Sequence, residues 1–118
     1  NMRDCKCYPV TFAEEIIFTA TPSSKKVTLQ WTAVSETDVL GYNILRRQIS
    51  TGNFEKINNA LIAAKGSPQT SVDYEFIDTA VRNGVQYEYR LLEIQTDGST
   101  RQEISATAMP RFIYIFTK

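Results

Sequence analysis

The sequence contains no histidine, which is the commonest general base and the commonest metal ligand in proteins. This absence also excludes every nucleophile that histidine would activate, such as a Ser-His or Cys-His pair. Neither a Gly-x-Gly-x-x-Gly nor a Gly-x-x-x-x-Gly-Lys-Ser/Thr phosphate-binding motif occurs. The sequence therefore predicts a chain that is not an enzyme and that uses no cofactor and no metal.

Cysteine is nearly absent as well, since Cys5 and Cys7 are the only two. A disulfide between residues so close in sequence would be strained, and two ligands do not complete a zinc site, which needs four. We expect two free thiols, the alternative being a bond to another chain or to a missing segment. The fold is predicted to hold without a disulfide.

The chain has neither an excess of charge nor a long apolar run. Thirteen lysine and arginine residues balance thirteen aspartate and glutamate residues. The longest apolar runs have about five residues, as at 112–116, far short of the roughly 20 that a membrane-spanning helix needs. We predict no nucleic-acid partner and no membrane span. We expect no signal peptide within this sequence, which neither shows nor excludes export.

What the sequence does have is a period-two alternation of apolar and polar residues along several short stretches, typical of β-strands with one buried face. The clearest stretch runs from Val27 to Thr32, with valine, leucine and tryptophan on one side and threonine and glutamine on the other. Trp31 is the largest apolar group there and is predicted to anchor the core. Another stretch alternates in the same way about Leu40, Tyr42 and Ile44.

A turn at Asn83-Gly84 leads into the strand that organises the rest, in which Tyr87, Tyr89 and Leu91 share one face. A buried tyrosine needs a partner for its hydroxyl, and the nearest candidate is a backbone group at this corner. The strand continues to Asp97-Gly98, a strong signal for a hairpin turn.

Seven short strands at regular spacing predict an all-β, immunoglobulin-like sandwich of two antiparallel sheets. A long loop at 58–72 follows the fourth strand, and its segment 60–64 forms either a helical turn or a short edge strand. The sandwich is assigned to 14–110, between an N-terminal arm at 1–13 and an apolar C-terminal extension at 111–118. The predicted structural core comprises Trp31, Tyr42, Ile44, Phe76, Val81, Tyr87, Tyr89 and Leu91.

Three landmarks in this sequence resemble the fibronectin type III family. Val27–Trp31 resembles the family's second strand and Gly41–Ile44 its third, while Val81, Gly84 and Tyr87 match the spacing of its leucine, glycine and corner tyrosine. The resemblance covers roughly 16–110. An antibody-type domain is disfavoured, because it has tryptophan on the third strand and a cysteine where this chain has Tyr89.

The resemblance implies a non-catalytic module of a larger protein, acting as a spacer or through protein–protein contacts. The most similar versions are those of large exported or cell-surface proteins of bacteria, so an extracellular or surface location is expected, with a protein or neighbouring domains as partners. The alternative is a polysaccharide-binding or accessory module of a polysaccharide-acting enzyme, which would need exposed aromatic side chains.

Acidic residues cluster in two places, Glu36 with Asp38 and Asp73 with Glu75 and Asp78. We expect them in loops or on the solvent faces of strands, where charge is common. A glycosidase-like acid pair or a calcium site is the alternative.

Basic and acidic residues are interleaved on neighbouring predicted strands. We expect cross-strand ion pairs on a solvated sheet face, each worth roughly 0.2 to 1 kcal/mol, rather than a basic stripe for an anionic partner. The residues concerned are Arg46, Arg47, Lys56 and Arg90, with Glu55, Glu88, Glu93 and Glu103.

After Pro110 the extension is apolar on both faces of any strand. It can pack within its own chain, contact another chain or domain, or belong to the next structural element. Its aromatic residues form the candidate contact surface, which includes a homodimer contact as one option: Phe112, Tyr114 and Phe116.

Overall fold

A computed structural model describes residues 16–67 and 69–112, and over these residues the chain is all β. Its eight strands are β1 (Ile16–Ser23), β2 (Lys26–Ala33), β3 (Val39–Gln48), β4 (Glu55–Lys56), β5 (Ile62–Ala63), β6 (Val72–Asp78), β7 (Tyr87–Gln95) and β8 (Thr100–Ala108). The described part of the chain holds no helix with the length and apolar character to cross a membrane. Cys5, Cys7 and the predicted arm at 1–13 lie outside the described residues.

The strands form two antiparallel sheets. The smaller sheet has the order β1-β2-β6, and the larger has the order β4-β3-β7-β8 with β5 paired to β3. The predicted two-sheet sandwich is confirmed. The segment 60–64 contains β5, whose Ile62 pairs with Tyr42, so it makes a short edge strand and not a helical turn.

The sandwich has two ends, named upper and lower by the residues that they carry. The upper end carries Ile16, which pairs with Ala33 at the start of β1. The lower end carries Asp78, which pairs with Val27 at the end of β6. Strands of eight to ten residues, at about 3.3 Å per residue, separate the two ends by roughly 30 Å.

Trp31 lies at the centre of the core and is only 1% exposed. Its ring stacks on that of Tyr74 at 5.2 Å between centroids, and Tyr42 meets it edge-on at 5.6 Å. Because Tyr42 belongs to the larger sheet and the other two rings to the smaller, this aromatic cluster joins the sheets.

One expectation about an inward-facing residue is corrected. Leu40 is 46% exposed because the β3–β7 register shifts between Val39 and Gly41, so the alternation restarts after the irregularity. Phe76 packs against the core from β6, an edge strand of the smaller sheet, and is partly buried there. The other seven predicted core residues are buried.

Candidate functional site

The upper end of the sandwich contains a buried carboxylate, Glu36, in the loop between β2 and β3. Its Oε2 accepts hydrogen bonds from the hydroxyls of Tyr42 at 2.7 Å and Tyr74 at 2.5 Å. Its Oε1 accepts a third from the backbone N–H of Gly66 at 2.6 Å. One carboxylate therefore joins the larger sheet, the smaller sheet and the long loop after β5.

Gly66 is required for this arrangement, because a Cβ at that position would overlap the side chains of Val72 and Glu36. The loop around it is held further by Lys65, whose backbone N–H donates to the Tyr74 hydroxyl at 2.9 Å. The Lys65 ammonium lies 4.7 Å from the centroid of the same ring. The loop is thus fixed by polar contacts to the core.

The lower end contains a second buried carboxylate, Asp78, at the end of β6. Arg46 Nη1 lies 3.0 Å from each of its two oxygens, and the Tyr89 hydroxyl donates to Oδ2 at 2.7 Å. Arg46 also donates through Nη2 to the exposed Glu55 at 2.8 Å. This cluster again joins a residue of the smaller sheet to residues of the larger.

The same contacts set the protonation of the groups involved. Burial raises the pKa of the Tyr42 hydroxyl well above its usual value, and the hydrogen bond to Glu36 and its negative charge raise it further. Burial and then the hydrogen bond to Glu36 also raise the pKa of Tyr74. Burial and then the bond to Asp78 raise that of Tyr89. All three phenols are hydrogen-bond donors over the ordinary pH range.

Arg46 shows two opposing effects. Burial alone would lower the pKa of its guanidinium, but the hydrogen bond to Asp78 and the charge of that carboxylate outweigh burial and raise it. The Arg46 guanidinium of this pair therefore stays charged inside the lower end. Its geometry, with one guanidinium nitrogen shared by both carboxylate oxygens, fixes the position of Asp78.

Glu93 is a third carboxylate inside the sandwich and is 0% exposed. Gln102 donates to its Oε1 at 2.8 Å, and Arg101 Nε lies 3.6 Å from the same atom. We expected Glu93 on a solvated face, and this expectation is wrong. The inward alternation of Tyr87, Tyr89 and Leu91 continues to residue 93.

The acidic residues of the two clusters predicted as solvated differ in burial. Glu36 and Asp78 are buried and accept hydrogen bonds from two tyrosine hydroxyls and from one, respectively. Asp73 and Glu75 are exposed on the outer face of β6. No group of three or more potential metal-ligating side chains occurs within 16–67 and 69–112. A carboxylate already accepting several hydrogen bonds is an anchor for its donors rather than a general base.

Arg47 and Arg90 form the predicted cross-strand ion pairs on the outer face of the larger sheet, whereas Arg46 faces inward. Arg47 lies 2.6 Å from Glu88, and Arg90 lies 3.8 Å from Glu103. The two guanidinium groups also flank the ring of Phe54, at 4.9 and 4.3 Å from its centroid. Because these arginines are matched by acidic neighbours, the face does not form a basic stripe.

The predicted tyrosine corner has the expected contact. Tyr87 is 3% exposed, and its hydroxyl accepts a hydrogen bond of 3.0 Å from the backbone N–H of Arg82. Of the candidate contact surface, Phe112 is 66% exposed. Tyr114 and Phe116 lie outside the described residues.

These features define a fibronectin type III-like β-sandwich. Among solved structures, the chain is similar to astrotactin-2, described as a conserved vertebrate-specific and perforin-like membrane protein involved in neuronal development, with a TM-score of 0.59 and 18% identity. The match covers 84% of this chain, which spans only 22% of that one.

The chain is also similar to an Fn3-like protein from Clostridium thermocellum, with a TM-score of 0.51 and 19% identity over 90% of this chain and all of that one. No protein-family model and no curated protein matches the sequence. At these identities the two likenesses show the fold alone, and they confirm the fibronectin type III-like prediction.

Proposed function

We propose that this chain is a non-catalytic module of a larger exported or cell-surface protein, of the kind found in bacteria, and that it serves as a spacer or through protein–protein contacts. The observation that carries the proposal is the use made of the buried polar groups. Glu36 is bound by two tyrosine hydroxyls, one from each sheet, and Asp78 of the smaller sheet by one from the larger. The buried charged groups of the sandwich therefore bind its own strands and loops.

The path of the chain supports a role as a spacer. The described residues begin in β1 at the upper end, and β8 finishes at the lower end, where Ala108 pairs with Tyr87. Domains attached before and after such a module are held roughly one strand length apart, about 30 Å. Ion pairs and the hydrogen bonds of the core stabilise the module against unfolding.

The polysaccharide alternative depends on exposed aromatic rings that could stack on sugars. In the described part of the chain, Phe112 is the exposed aromatic residue, while the other rings are buried or partly buried. A glycan array tests this alternative directly. Specific binding of any oligosaccharide by the purified chain would replace the spacer proposal with this one.

The extension at 111–118 is the part of the proposal that concerns partners. Phe112 is strongly exposed, and Met109 just before it is 38% exposed. If this surface contacts a second copy, the full chain sediments as a dimer and a chain ending at Pro110 as a monomer. Two monomers of equal stability would remove the idea of a contact through the extension.

The main proposal is tested in the larger protein by exchange. Residues 16–112 are replaced by an unrelated fibronectin type III-like module of equal strand length, or deleted. A spacer tolerates the exchange but not the deletion, whereas a specific contact surface tolerates neither. If the deletion changes nothing in the reach, display or binding of the larger protein, the proposal is wrong.

A further inference from the structure

The loop between β6 and β7 contains the dipeptide Asn83-Gly84, both residues of which are exposed. In such a dipeptide the glycine lacks a Cβ, so its backbone nitrogen can approach the asparagine side chain closely. Attack of that nitrogen on the asparagine Cγ forms a five-membered succinimide and releases ammonia. Water then opens the ring to aspartate or to isoaspartate.

In the folded chain both reacting groups are held elsewhere. The Gly84 N–H donates a hydrogen bond of 2.8 Å to the carbonyl oxygen of Pro110. The Asn83 Oδ1 accepts a hydrogen bond of 2.7 Å from the backbone N–H of Lys25. Asn83 Nδ2 also donates to Ser24 Oγ at 3.2 Å.

These contacts explain why an exposed Asn-Gly pair can persist. Lys25 occupies the left-handed region, with φ of 58°, so the bond from its N–H to Asn83 supports a turn that favours glycine. Ring closure needs Gly84 to leave Pro110 and Asn83 to leave the β1–β2 turn. Both separations amount to a local opening of the lower end.

We propose that Asn83 is a deamidation site that the folded domain keeps closed and that opening of the lower end exposes. In this reaction the bond between Gly84 N and Asn83 Cγ forms, the Asn83 Cγ–Nδ2 bond breaks, ammonia leaves, and water hydrolyses the imide. No other reactant is needed. Refolding does not reverse the reaction. A chain that deamidates during an opening therefore keeps the modified residue 83 after the lower end closes again.

The two products differ in their effect on the fold. Aspartate at this position still offers an oxygen to the Lys25 N–H. Isoaspartate inserts an additional methylene into the main chain next to Arg82, whose N–H binds the Tyr87 hydroxyl. The isoaspartate form is therefore expected to loosen both the turn at Lys25 and the tyrosine corner.

The test follows the full chain by mass spectrometry at mildly alkaline pH, folded and in urea, with the Asn59-Ala60 pair as an internal slow reference. Deamidation at Asn83 is expected to be at least about tenfold slower in the folded chain, which corresponds to an opening free energy above about 1.4 kcal/mol. Ser24→Ala is expected to raise the deamidation rate of the folded chain but not that of the unfolded chain. The control Ser105→Ala, on the exposed side of β8, should change neither rate. Equal rates in folded and unfolded chains, or no difference between the two variants, would overturn the proposal.

Discussion

Arg46 and Asp78 connect the two sheets of this sandwich through an ion pair in which one guanidinium nitrogen lies 3.0 Å from both carboxylate oxygens. Their side chains are 13% and 5% exposed. Since both strands place these residues on their inward faces, the pair closes the lower end of the core. It has a counterpart at the upper end, where Glu36 receives hydrogen bonds from both sheets.

Asp78→Ala is expected to destabilise the domain strongly. It leaves the Arg46 guanidinium and the Tyr89 hydroxyl without their shared acceptor, and breaking a buried pair from one side costs about 3 to 5 kcal/mol. Urea unfolding measures the loss. The matched control is Glu55→Ala, which removes the 68% exposed partner of the same arginine and should cost less than about 1 kcal/mol. Equal losses would show that the inner pair does not hold the sheets.

Glu36→Ala is expected to lower the free energy of unfolding by roughly 3 kcal/mol, since it leaves two buried hydroxyls without an acceptor. Glu36→Gln should cost less, because an amide oxygen still accepts. Glu75→Ala, at an exposed position of β6 next to Tyr74, should stay within about 0.5 kcal/mol. Amide exchange at Gly66 should accelerate in Glu36→Ala alone, and an unchanged Gly66 amide would mean that Glu36 does not fix the loop.

The domain is expected to lose stability at alkaline pH. The pKa values of Tyr42, Tyr74 and Tyr89 are raised in the folded state, so above the ordinary tyrosine pKa of about 10 the unfolded chain releases protons that the folded chain retains. The stabilisation is complete below that pH. Above it, each of these tyrosines lowers the free energy of unfolding by up to about 1.4 kcal/mol per pH unit.

The check combines urea unfolding between mildly and strongly alkaline pH with the ultraviolet absorbance of tyrosinate. Ionisation of the phenols of Tyr42, Tyr74 and Tyr89 should coincide with unfolding. The free energy of unfolding of Tyr89→Phe should fall less steeply with pH, and the difference in slope should correspond to about one proton. The buried clusters would be contradicted if all tyrosines ionised near the ordinary tyrosine pKa while the chain remained folded.

The sandwich could be predicted from the sequence because its signals are local. Alternation at 27–32, the turn at Asn83-Gly84 and the hairpin at Asp97-Gly98 each depend on neighbouring residues. The strand β5 could not be assigned, since it has only two residues and exists through its pairing with β3. The error at Leu40 has the same origin, because the register shift that turns Leu40 outward depends on the partner strand.

The buried charges were missed for two different reasons. Arg46, Asp78 and Glu93 each continue an inward alternation, so extending the period by one more step would have placed them inside. Their charge predicts an exposed position instead, because charged side chains are rarely buried without a partner. Glu36 gave no such signal, because it lies in a loop and its partners Tyr42 and Tyr74 are brought to it only by the fold.

The most direct test of the central claim is a double-mutant cycle between Glu36→Ala and Tyr74→Phe, measured by urea unfolding. If the carboxylate of the β2–β3 loop and the hydroxyl of β6 stabilise the fold through each other, their losses overlap, with a coupling energy of about 1 to 2 kcal/mol. Losses that add to within about 0.3 kcal/mol would show that the two groups act independently. Glu36 would then need another role.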